Sequence, residues 1–423
     1  MTVPAALPSA VRTENTLGMG ILRQPGTVLF GPGQRRQVPG IVAGIAAHAL
    51  LITDARMAAG SDFAEIVDGL RAAGVEIDVY DATEPDLPRE NVMEVAHRFR
   101  DRPIEAIVGI GGGSCMDLAK VSAIVLARGG DVRDYYGEFL VPGPGLPVVT
   151  VPTTGGTGAE VTCISVVYDA ERGMKVGVAS PHLEPHAAVI DPELTLTCPP
   201  GLTAATGADA LSHLVEAFTG RAKNPDDAHL REKLYAGKNL LTDVWARTGL
   251  ALLAKSLPAV VADPGDIDAR SDTMFASYCA GMAINTAGTA GAHAIQSPIG
   301  NLTHTPHGFG IAALLPSVMR YNLPTRIVEF AEIGRLMGVA DPTAAELDQA
   351  HDGIRAVESL LETLGAPTDL TTLGLSPDDV GFVADQAMLA TRLTANNPRE
   401  LTREAIVAIL EHGLAGDRRW WTV

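Results

Sequence analysis

The chain has 423 residues, of which 46% are hydrophobic, 4% aromatic and 19% charged, and its formal net charge is −18. This length exceeds what one hydrophobic core usually serves, so two domains are expected. The acidic balance disfavours polyanions, and we therefore expect neither nucleic acid nor a membrane surface as a partner.

The cysteines and the first residues indicate the compartment. Cys115, Cys163, Cys198 and Cys279 show no paired spacing, which argues against a disulfide framework and against a cysteine metal site. The first residues lack a basic region followed by a long apolar run, so no secretory signal is expected. No uninterrupted apolar stretch of about 18 residues occurs, so no transmembrane helix is expected either. We expect a cytoplasmic protein.

The first half of the chain alternates short apolar runs with amphipathic stretches. The runs predict strands at 26–31, 48–53, 75–79, 104–110, 146–151 and 176–179, and the amphipathic stretches predict helices at 61–73 and 91–99. Such alternation is typical of a parallel sheet covered by helices on both faces.

After residue 200 the pattern becomes helical. Predicted helices cover 207–218, 226–255, 268–285, 327–336 and 344–364. We therefore predict an α/β dinucleotide-binding domain at 1–198 and an all-helical domain at 199–423.

A glycine-rich turn between a predicted strand and a predicted helix is a candidate phosphate site. Gly111, Gly112 and Gly113 would let the backbone approach a pyrophosphate, and the start of the helix would supply free N–H groups and a positive dipole end. Ser114 stands where the usual fingerprint has its third glycine. Ser114 and Asp117 also have the spacing of a capping box, so capping explains Asp117 as well as a cofactor contact does.

Two further turns carry candidate cofactor groups. Asp54 ends a predicted strand, where a carboxylate could accept hydrogen bonds from a ribose hydroxyl and repel a 2′-phosphate. An ordinary strand-end aspartate is the commoner explanation. Thr153, Thr154 and Thr157 lie between glycines after another strand, and they could bind phosphate or nicotinamide groups or simply form a flexible turn.

One aspartate and three histidines have the spacing of metal ligands. Asp209 and His213 are four residues apart in a predicted helix and so share one face. His293 and His307 follow in a second compact segment that prolines interrupt. A mixed oxygen and imidazole set suits a divalent transition metal. A metal beside a nucleotide loop indicates hydride chemistry on an alcohol or a carbonyl.

Together these motifs resemble the iron-containing (group III) alcohol dehydrogenase family. The matching segments are Gly-Gly-Gly-Ser-x-x-Asp-x-x-Lys at 111–120, Pro-Thr-Thr-Gly-Gly-Thr-Gly-Ala-Glu at 152–160, Gly-Ala-Asp-Ala-Leu-x-His at 207–213, and two histidines separated by 13 residues at 293–307 with glycine after the second. The resemblance extends over nearly the whole chain.

The resemblance implies a Rossmann-like N-terminal domain, a helical C-terminal domain and an active cleft between them. It implies NAD rather than NADP, Fe²⁺ or Zn²⁺, a small alcohol or aldehyde as substrate, and a homodimer or larger homo-oligomer. The implied catalytic and metal-binding residues are Asp209, His213, His293 and His307. The implied cofactor-binding residues are Asp54, Gly111, Gly112, Gly113, Ser114, Asp117, Thr153, Thr154, Thr157 and Lys175.

The sequence departs from this family's pattern at two places. Ser297 stands where many members carry a histidine that is proposed to relay protons, which leaves the Ser297 hydroxyl and nearby His304 as candidates. The segment 221–255 is longer than usual and could extend a wall of the cleft or an oligomer contact. Cys115, at a helix start, is either a thiol with a lowered pKa or a small packing residue.

The sequence alone does not distinguish this activity from several related ones. Maleylacetate reductases and glycerol dehydrogenases are the nearest alternatives, and a hydroxyacid-oxoacid transhydrogenase would differ by retaining its cofactor between turnovers. A lyase resembling 3-dehydroquinate synthase would typically have glutamate in place of Asp209. A metal or nucleotide binder without activity is the remaining possibility.

Overall fold

The structure, a computed structural model, describes residues 20–421. The expectation of no secretory signal concerns the first residues, which lie outside this range. Within it the strands are β1 (Thr27–Phe30), β2 (His48–Ile52), β3 (Glu76–Tyr80), β4 (Ala106–Gly111), β5 (Gly137–Glu138), β6 (Val148–Pro152), β7 (Ile164–Asp169), β8 (Met174–Ala179) and β9 (Ala187–Ile190).

Six of these strands form one parallel sheet. Its order is β1-β9-β6-β4-β2-β3, and every neighbouring pair is parallel. A second sheet, β5-β8-β7, lies apart from it, and β7 pairs with β8 antiparallel. The six-stranded sheet confirms the predicted Rossmann-like fold. The small sheet was missed as a unit: only the run at 176–179, in β8, was predicted, β7 was not identified, and β5 has only two residues.

Helices cover both faces of the large sheet. They are α1 (Val38–Ala43), α2 (Ala55–Ala58), α3 (Ser61–Ala72), α4 (Arg89–Phe99) and α5 (Gly113–Arg128). Successive residues of β2 point to opposite faces, so Leu50 packs with residues of α4 and α5 and Leu51 packs with residues of α1 and α3. The central strands β2, β4, β6 and β9 are buried on both faces, which explains their unbroken apolar runs.

The second half is helical in the described residues. Its helices are α6 (Pro200–Thr219), α7 (Asp227–Glu232), α8 (Leu240–Ala262), α9 (Ile267–Ala287), α10 (Gly291–Thr303), α11 (His307–Asn322), α12 (Ile327–Leu336), α13 (Glu346–Thr363), α14 (Val380–Leu389), α15 (Thr391–Asn396) and α16 (Arg403–Leu414). They enclose one large apolar core. The last strand of the sheet ends at Ile190 and α6 begins at Pro200. The domain division at 198/199 stays a prediction.

The single helix predicted at 226–255 is wrong, because the chain breaks between Glu232 and Leu240. Helix α7 has no buried residue, as a charged, solvated helix should. The break then buries Leu234 and Tyr235. Asn239 begins α8 by accepting hydrogen bonds from the N–H groups of Leu241 and Thr242. The break has local signals that the prediction of a single helix did not weigh, namely Gly237, with a φ of +78°, and the cap residue Asn239.

Among the described helices, α8 alone is long and apolar enough to cross a membrane by length and composition. It packs against α6 and α9 instead, and it carries a buried ion pair between Lys238, just before the helix, and Asp243. Nine of its 23 residues are buried.

Candidate metal and cofactor site

Helix α6 places a carboxylate and an imidazole at one point of the helical half. Asp209 and His213 are one turn apart, and most of the helix around them is buried. The Nε2 atom of His213 lies 3.5 Å from Oδ1 of Asp209. The i, i+4 spacing therefore produces the shared face that the sequence predicted.

Two more helices bring imidazoles to the same point. His293 lies in the first turn of α10, and His307 is the first residue of α11. Their Nε2 atoms are 3.7 Å and 3.4 Å from the same Oδ1 atom of Asp209. The ligand atoms of Asp209, His213 and His293 all lie within 4.8 Å of one another. The structure thus brings together all four residues that we predicted as metal ligands.

The spacing of these atoms fits a cation better than direct hydrogen bonds. At 3.4–3.7 Å, the three imidazoles are too far from Oδ1 of Asp209 for good N–H···O bonds. Two ligands held about 2.1 Å from one tetrahedral ion lie about 3.4 Å apart. Oδ1 of Asp209 and Nε2 of His293 are buried and make no hydrogen bond within residues 20–421. Such buried polar atoms are costly without a partner, and a divalent cation would satisfy them.

Burial and nearby charges set the protonation states of this cluster. Burial lowers the pKa of His213 to about 4, and it also lowers the pKa of His307. Burial opposes ionisation of Asp209, but the imidazoles of His213 and His307 outweigh it and hold the pKa of the Asp209 carboxyl well below its usual range. Neutral imidazoles at His213 and His307 beside the Asp209 carboxylate match the protonation pattern in which these groups bind a metal.

Sequence reasoning missed Glu216, which supports the cluster from behind. One of its oxygens lies 2.6 Å from Nδ1 of His293, and its carboxylate also accepts hydrogen bonds from the N–H groups of Ala290 and Ala292. Burial disfavours a charged His293, yet Glu216 and Asp209 together raise the pKa of His293 to about 9. Glu216 follows Asp209 by seven residues on α6, so the helical period was the signal that could have identified it.

The glycine-rich turn joins β4 to α5. Gly111 has a φ of +150°, which favours glycine. Gly112 is the N-cap of α5, and no side chain caps it. The backbone N–H groups of this first turn are therefore available to an anion such as a pyrophosphate.

The capping box predicted from Ser114 and Asp117 is wrong, because Gly112 is the N-cap of α5 and no side chain caps it. The Asp117 carboxylate accepts a hydrogen bond from the N–H of Val166 at 2.9 Å and pairs with Nζ of Lys120 at 2.9 Å. Asp117 therefore ties α5 to β7. Its side chain also lines the cleft described below, beside Ser114.

The threonine turn after β6 packs against the glycine-rich turn. The N–H of Thr153 donates to the carbonyl oxygen of Gly111 at 3.0 Å. A Cβ atom on Gly113 would lie 2.8 Å from Thr157, and one on Gly112 would lie 3.6 Å from the Thr154 hydroxyl. Thr157 lines the cleft, whereas Thr153 is buried behind the glycines.

Asp54 lies beside the same turn and caps α2. Its Oδ1 atom accepts a hydrogen bond from the N–H of Met57 at 2.9 Å. Its Oδ2 atom faces Gly111 and lies 3.8 Å from the Cys115 sulfur. That thiol is buried, and burial raises the pKa of Cys115 to about 12. The activated thiol considered from the sequence is therefore wrong, and Cys115 is a packing residue.

One cleft of about 550 Å³ connects the metal candidate to the nucleotide turn. Lys175 lies in its wall and pairs with Asp86 at 2.6 Å. The predicted site residues that line the cleft are Gly113, Ser114, Asp117, Thr157, Lys175, Asp209, His213, His293 and His307. Asp54, Gly111, Gly112, Thr153 and Thr154 are not among the lining residues.

The two candidates for a proton relay are separated by the structure. Ser297 lies one turn after His293 on α10 and lines the cleft. His304 ends α10 in a left-handed conformation, is exposed, and lies outside the lining of the cleft.

Comparisons with known proteins agree over both halves of the chain. The profile described as "Iron-containing alcohol dehydrogenase" matches residues 25–192, and "Fe-containing alcohol dehydrogenase family, C-terminal" matches residues 203–414. The chain is 32% identical to the NAD-dependent methanol dehydrogenase of Bacillus methanolicus over 95% of this chain and 98% of that protein. It is 35% identical to the 1,3-propanediol dehydrogenase of Klebsiella pneumoniae over 91% of this chain and 96% of that protein.

A solved structure has the same fold over almost the whole chain. It is a crystal structure of a 1,3-propanediol oxidoreductase, which superposes with a TM-score of 0.87 at 33% identity and covers 93% of this chain and 100% of that one.

Proposed function

The chain belongs to the iron-containing alcohol dehydrogenase family and is an oxidoreductase, and on that premise we propose that it transfers a hydride between a small alcohol, or its aldehyde or ketone, and NAD. We further propose that Asp209, His213, His293 and His307 hold an iron(II) ion. The observation that carries this proposal is the single Asp209 oxygen facing three imidazoles in a cleft that reaches the glycine-rich turn.

The metal would supply Lewis-acid polarisation of the alcohol or carbonyl oxygen. The chain's own residues position it and the two reactants. Glu216 fixes the ring orientation of His293 through Nδ1, which leaves Nε2 facing Asp209. The buried helices α6, α10 and α11 keep the ligands in place with little reorganisation.

The other end of the cleft would hold the cofactor. The first turn of α5 would bind the pyrophosphate through its backbone N–H groups, and Thr157 would add a hydroxyl beside it. The free oxygen of Asp54 would accept hydrogen bonds from the adenosine ribose and disfavour a 2′-phosphate. This arrangement favours NAD over NADP.

Ser297 replaces the histidine that many members of the family carry. Its hydroxyl lines the cleft one turn after His293 and could hydrogen-bond the substrate hydroxyl, but it does not take up a proton near neutral pH as an imidazole does. We propose that the released proton leaves through solvent in the cleft rather than through a side-chain base at this position.

We also propose that the enzyme is a cytoplasmic homodimer. Strand β1 is an edge of the six-stranded sheet, and its Phe30 is 37% exposed. An edge strand presents unpaired backbone groups that a second copy can pair with. Sedimentation of the full chain tests this, since a monomer at micromolar concentration would contradict it.

Metal reconstitution tests the proposed activity. Metal-stripped enzyme is supplied anaerobically with Fe(II), with Zn(II) or with no metal, and reduction of NAD is followed with a panel of primary alcohols, diols and hydroxy acids. We expect reduction that depends on Fe(II). His293→Ala should lose both metal and turnover with its circular dichroism intact, while His97→Ala, on the exposed side of α4, should behave as the wild type. Equal activity without metal, or full activity of His293→Ala, would contradict the proposal.

A further inference from the structure

One arginine in the cleft has no acidic partner. Arg392 lies on α15, is half-buried, and lines the same cleft as His293 and Ser297. Its guanidinium stacks over the ring of Tyr235 at 4.2 Å. Within the part of the chain that the structure describes, it makes no ion pair and no hydrogen bond.

The other charges that line the cleft are already paired. Lys175 pairs with Asp86, and Asp117 pairs with Lys120. Asp209 faces the three imidazoles. Among residues 20–421, the charge of Arg392 is therefore the one in the cleft lining that no other side chain compensates.

The surroundings of Arg392 raise the cost of an unpaired cation. Leu393 follows Arg392 on α15, and the apolar residues Ile284, Leu302 and Phe382 also line the cleft. An unpaired charge in such surroundings is unfavourable unless a ligand completes it. Burial, followed by the charge of Arg392, also lowers the pKa of the nearby Lys223, and the charge of Glu138 opposes this shift. Glu138 lies on that side as well, and one of its oxygens accepts the N–H of Leu234.

Gly288 allows the Arg392 side chain to lie close to the start of α10. Gly288 ends α9 with a φ of +79°, directly before the helix that carries His293. A Cβ atom at Gly288 would lie 3.1 Å from the Tyr235 ring and 3.4 Å from the Arg392 guanidinium. Tyr235 itself comes from the segment between α7 and α8. The glycine and this segment together bring the cation to the corner where α10 begins.

We propose that Arg392 binds an anionic group of the substrate, so that the preferred substrates are short alcohols or aldehydes with a carboxylate at the end opposite the reacting carbon. A guanidinium presents two parallel N–H donors that match a carboxylate, and the Tyr235 ring holds its plane in position. This inference rests on the proposed dehydrogenase function, whose reaction it leaves unchanged.

The test compares substrates of equal length that differ in charge. The pairs are 3-hydroxypropanoate with 1,3-propanediol, and 4-hydroxybutanoate with 1,4-butanediol, each oxidised by the iron-loaded enzyme with NAD. We expect the hydroxy acid to have the higher kcat/KM. Arg392→Met should lower kcat/KM for the hydroxy acid by about 10- to 100-fold while the value for the diol changes little, because a charged hydrogen bond is lost only with the anion. Arg392→Lys should recover part of the loss.

Two controls distinguish substrate binding by Arg392 from a general effect of losing an arginine and from cofactor binding. Arg71→Met removes an exposed arginine of α3 and should change neither substrate. The KM for NAD should be the same in Arg392→Met, and a raised KM for NAD would mean that Arg392 binds the cofactor instead, which overturns the inference. Equal use of both substrates, with Arg392→Met affecting neither, also overturns it.

A binding measurement keeps the inference testable if the proposed function fails. Absence of turnover with every alcohol would contradict the dehydrogenase function alone. The rise in melting temperature caused by 3-hydroxypropanoate is then compared between the wild type and Arg392→Met. A rise that disappears in the variant supports the anion site, and an equal rise in both proteins, or none in either, contradicts it.

Discussion

Nδ1 of His293 lies 2.6 Å from a carboxylate oxygen of Glu216, and the same carboxylate accepts two backbone N–H groups from the start of α10. Glu216 therefore fixes both the ring of His293 and the helix that carries it. A carboxylate behind a metal-binding histidine commonly tunes ring orientation and ligand basicity.

Replacing this carboxylate should weaken the metal site. Glu216→Gln removes the charge behind His293, and we expect metal affinity to fall by about 10- to 100-fold. Competition of the apoenzyme against a chelator measures this affinity. Glu404→Gln, an exposed position in the first turn of α16, serves as the matched control. An affinity of Glu216→Gln equal to that of the control would show that the carboxylate has no such role.

A single glycine sets how closely α11 approaches α6. A Cβ atom on Gly308 would lie 1.9 Å from the backbone carbonyl oxygen of Ala205, so alanine there must push the two helices apart. Because His307 precedes Gly308, Gly308→Ala should displace a predicted ligand and destabilise the fold by about 3 kcal/mol. Chemical denaturation and metal content measure the two effects.

The control for this substitution lies on the same helix pair. No atom lies within 4 Å of a Cβ at Gly201, near the start of α6. Gly201→Ala should leave metal content unchanged and stability unchanged or slightly higher. If Gly308→Ala matches Gly201→Ala in both measurements, the close approach does not position the site.

These two residues show what the sequence could and could not reveal. The four predicted ligands were readable because Asp209 and His213 follow the helical period and because two further histidines stand in one compact segment. Glu216 obeys the same period, but nothing local in the sequence says that α10 packs against that part of α6. The need for glycine at position 308 could not be predicted, because the clash it avoids involves Ala205, about one hundred positions earlier.

The fold, like the site, could be predicted in part from the sequence. Strands such as β2 and β4 are unbroken apolar runs, because both faces of the parallel sheet are covered. The break between α7 and α8 was predictable in part, because Gly237 and the cap residue Asn239 are local signals, whereas the burial of Tyr235 depends on distant segments. Arg392 gave no local signal either, because its importance comes from the absence of an acidic partner in three dimensions.

Glu160 makes stability depend on pH in an unusual direction. Its side chain is buried, and burial raises the pKa of Glu160 from 4.5 to about 7. The unfolded chain therefore loses this proton at lower pH than the folded protein does. Folding is destabilised progressively as pH rises from about 4.5 to about 7, by about 3 kcal/mol at the upper end.

Glu160→Gln removes this titration. We expect the stability of the variant relative to the wild type to increase between pH 5 and pH 8, where the wild type bears the cost of burying a carboxylate. Urea denaturation at several pH values measures the difference. Glu411→Gln, at an exposed position near the end of α16, is the control. A difference between Glu160→Gln and the wild type that stays constant with pH would refute the raised pKa.

Asp54 should select the cofactor through the oxygen that does not cap α2. Asp54→Ser keeps a capping oxygen for the N–H of Met57 but removes the charge. We expect the ratio of kcat/KM for NADP to that for NAD to rise by at least about tenfold, since a nearby carboxylate repels a 2′-phosphate. Asp266→Ser changes the corresponding cap of α9 and should leave the ratio as it is. An unchanged ratio in Asp54→Ser would dismiss the role.

We propose that hydride passes from an alcohol to NAD at the Asp209 cluster. Transfer of deuterium from the substrate to the cofactor would show this step itself. Iron-loaded enzyme is given NAD and a substrate deuterated at the carbinol carbon, and the reduced cofactor is analysed by mass spectrometry. We expect one deuterium per reduced nicotinamide with the wild type, and none with metal-stripped enzyme or with His213→Ala. Transfer that persists in both, or reduced cofactor without deuterium, would contradict the account.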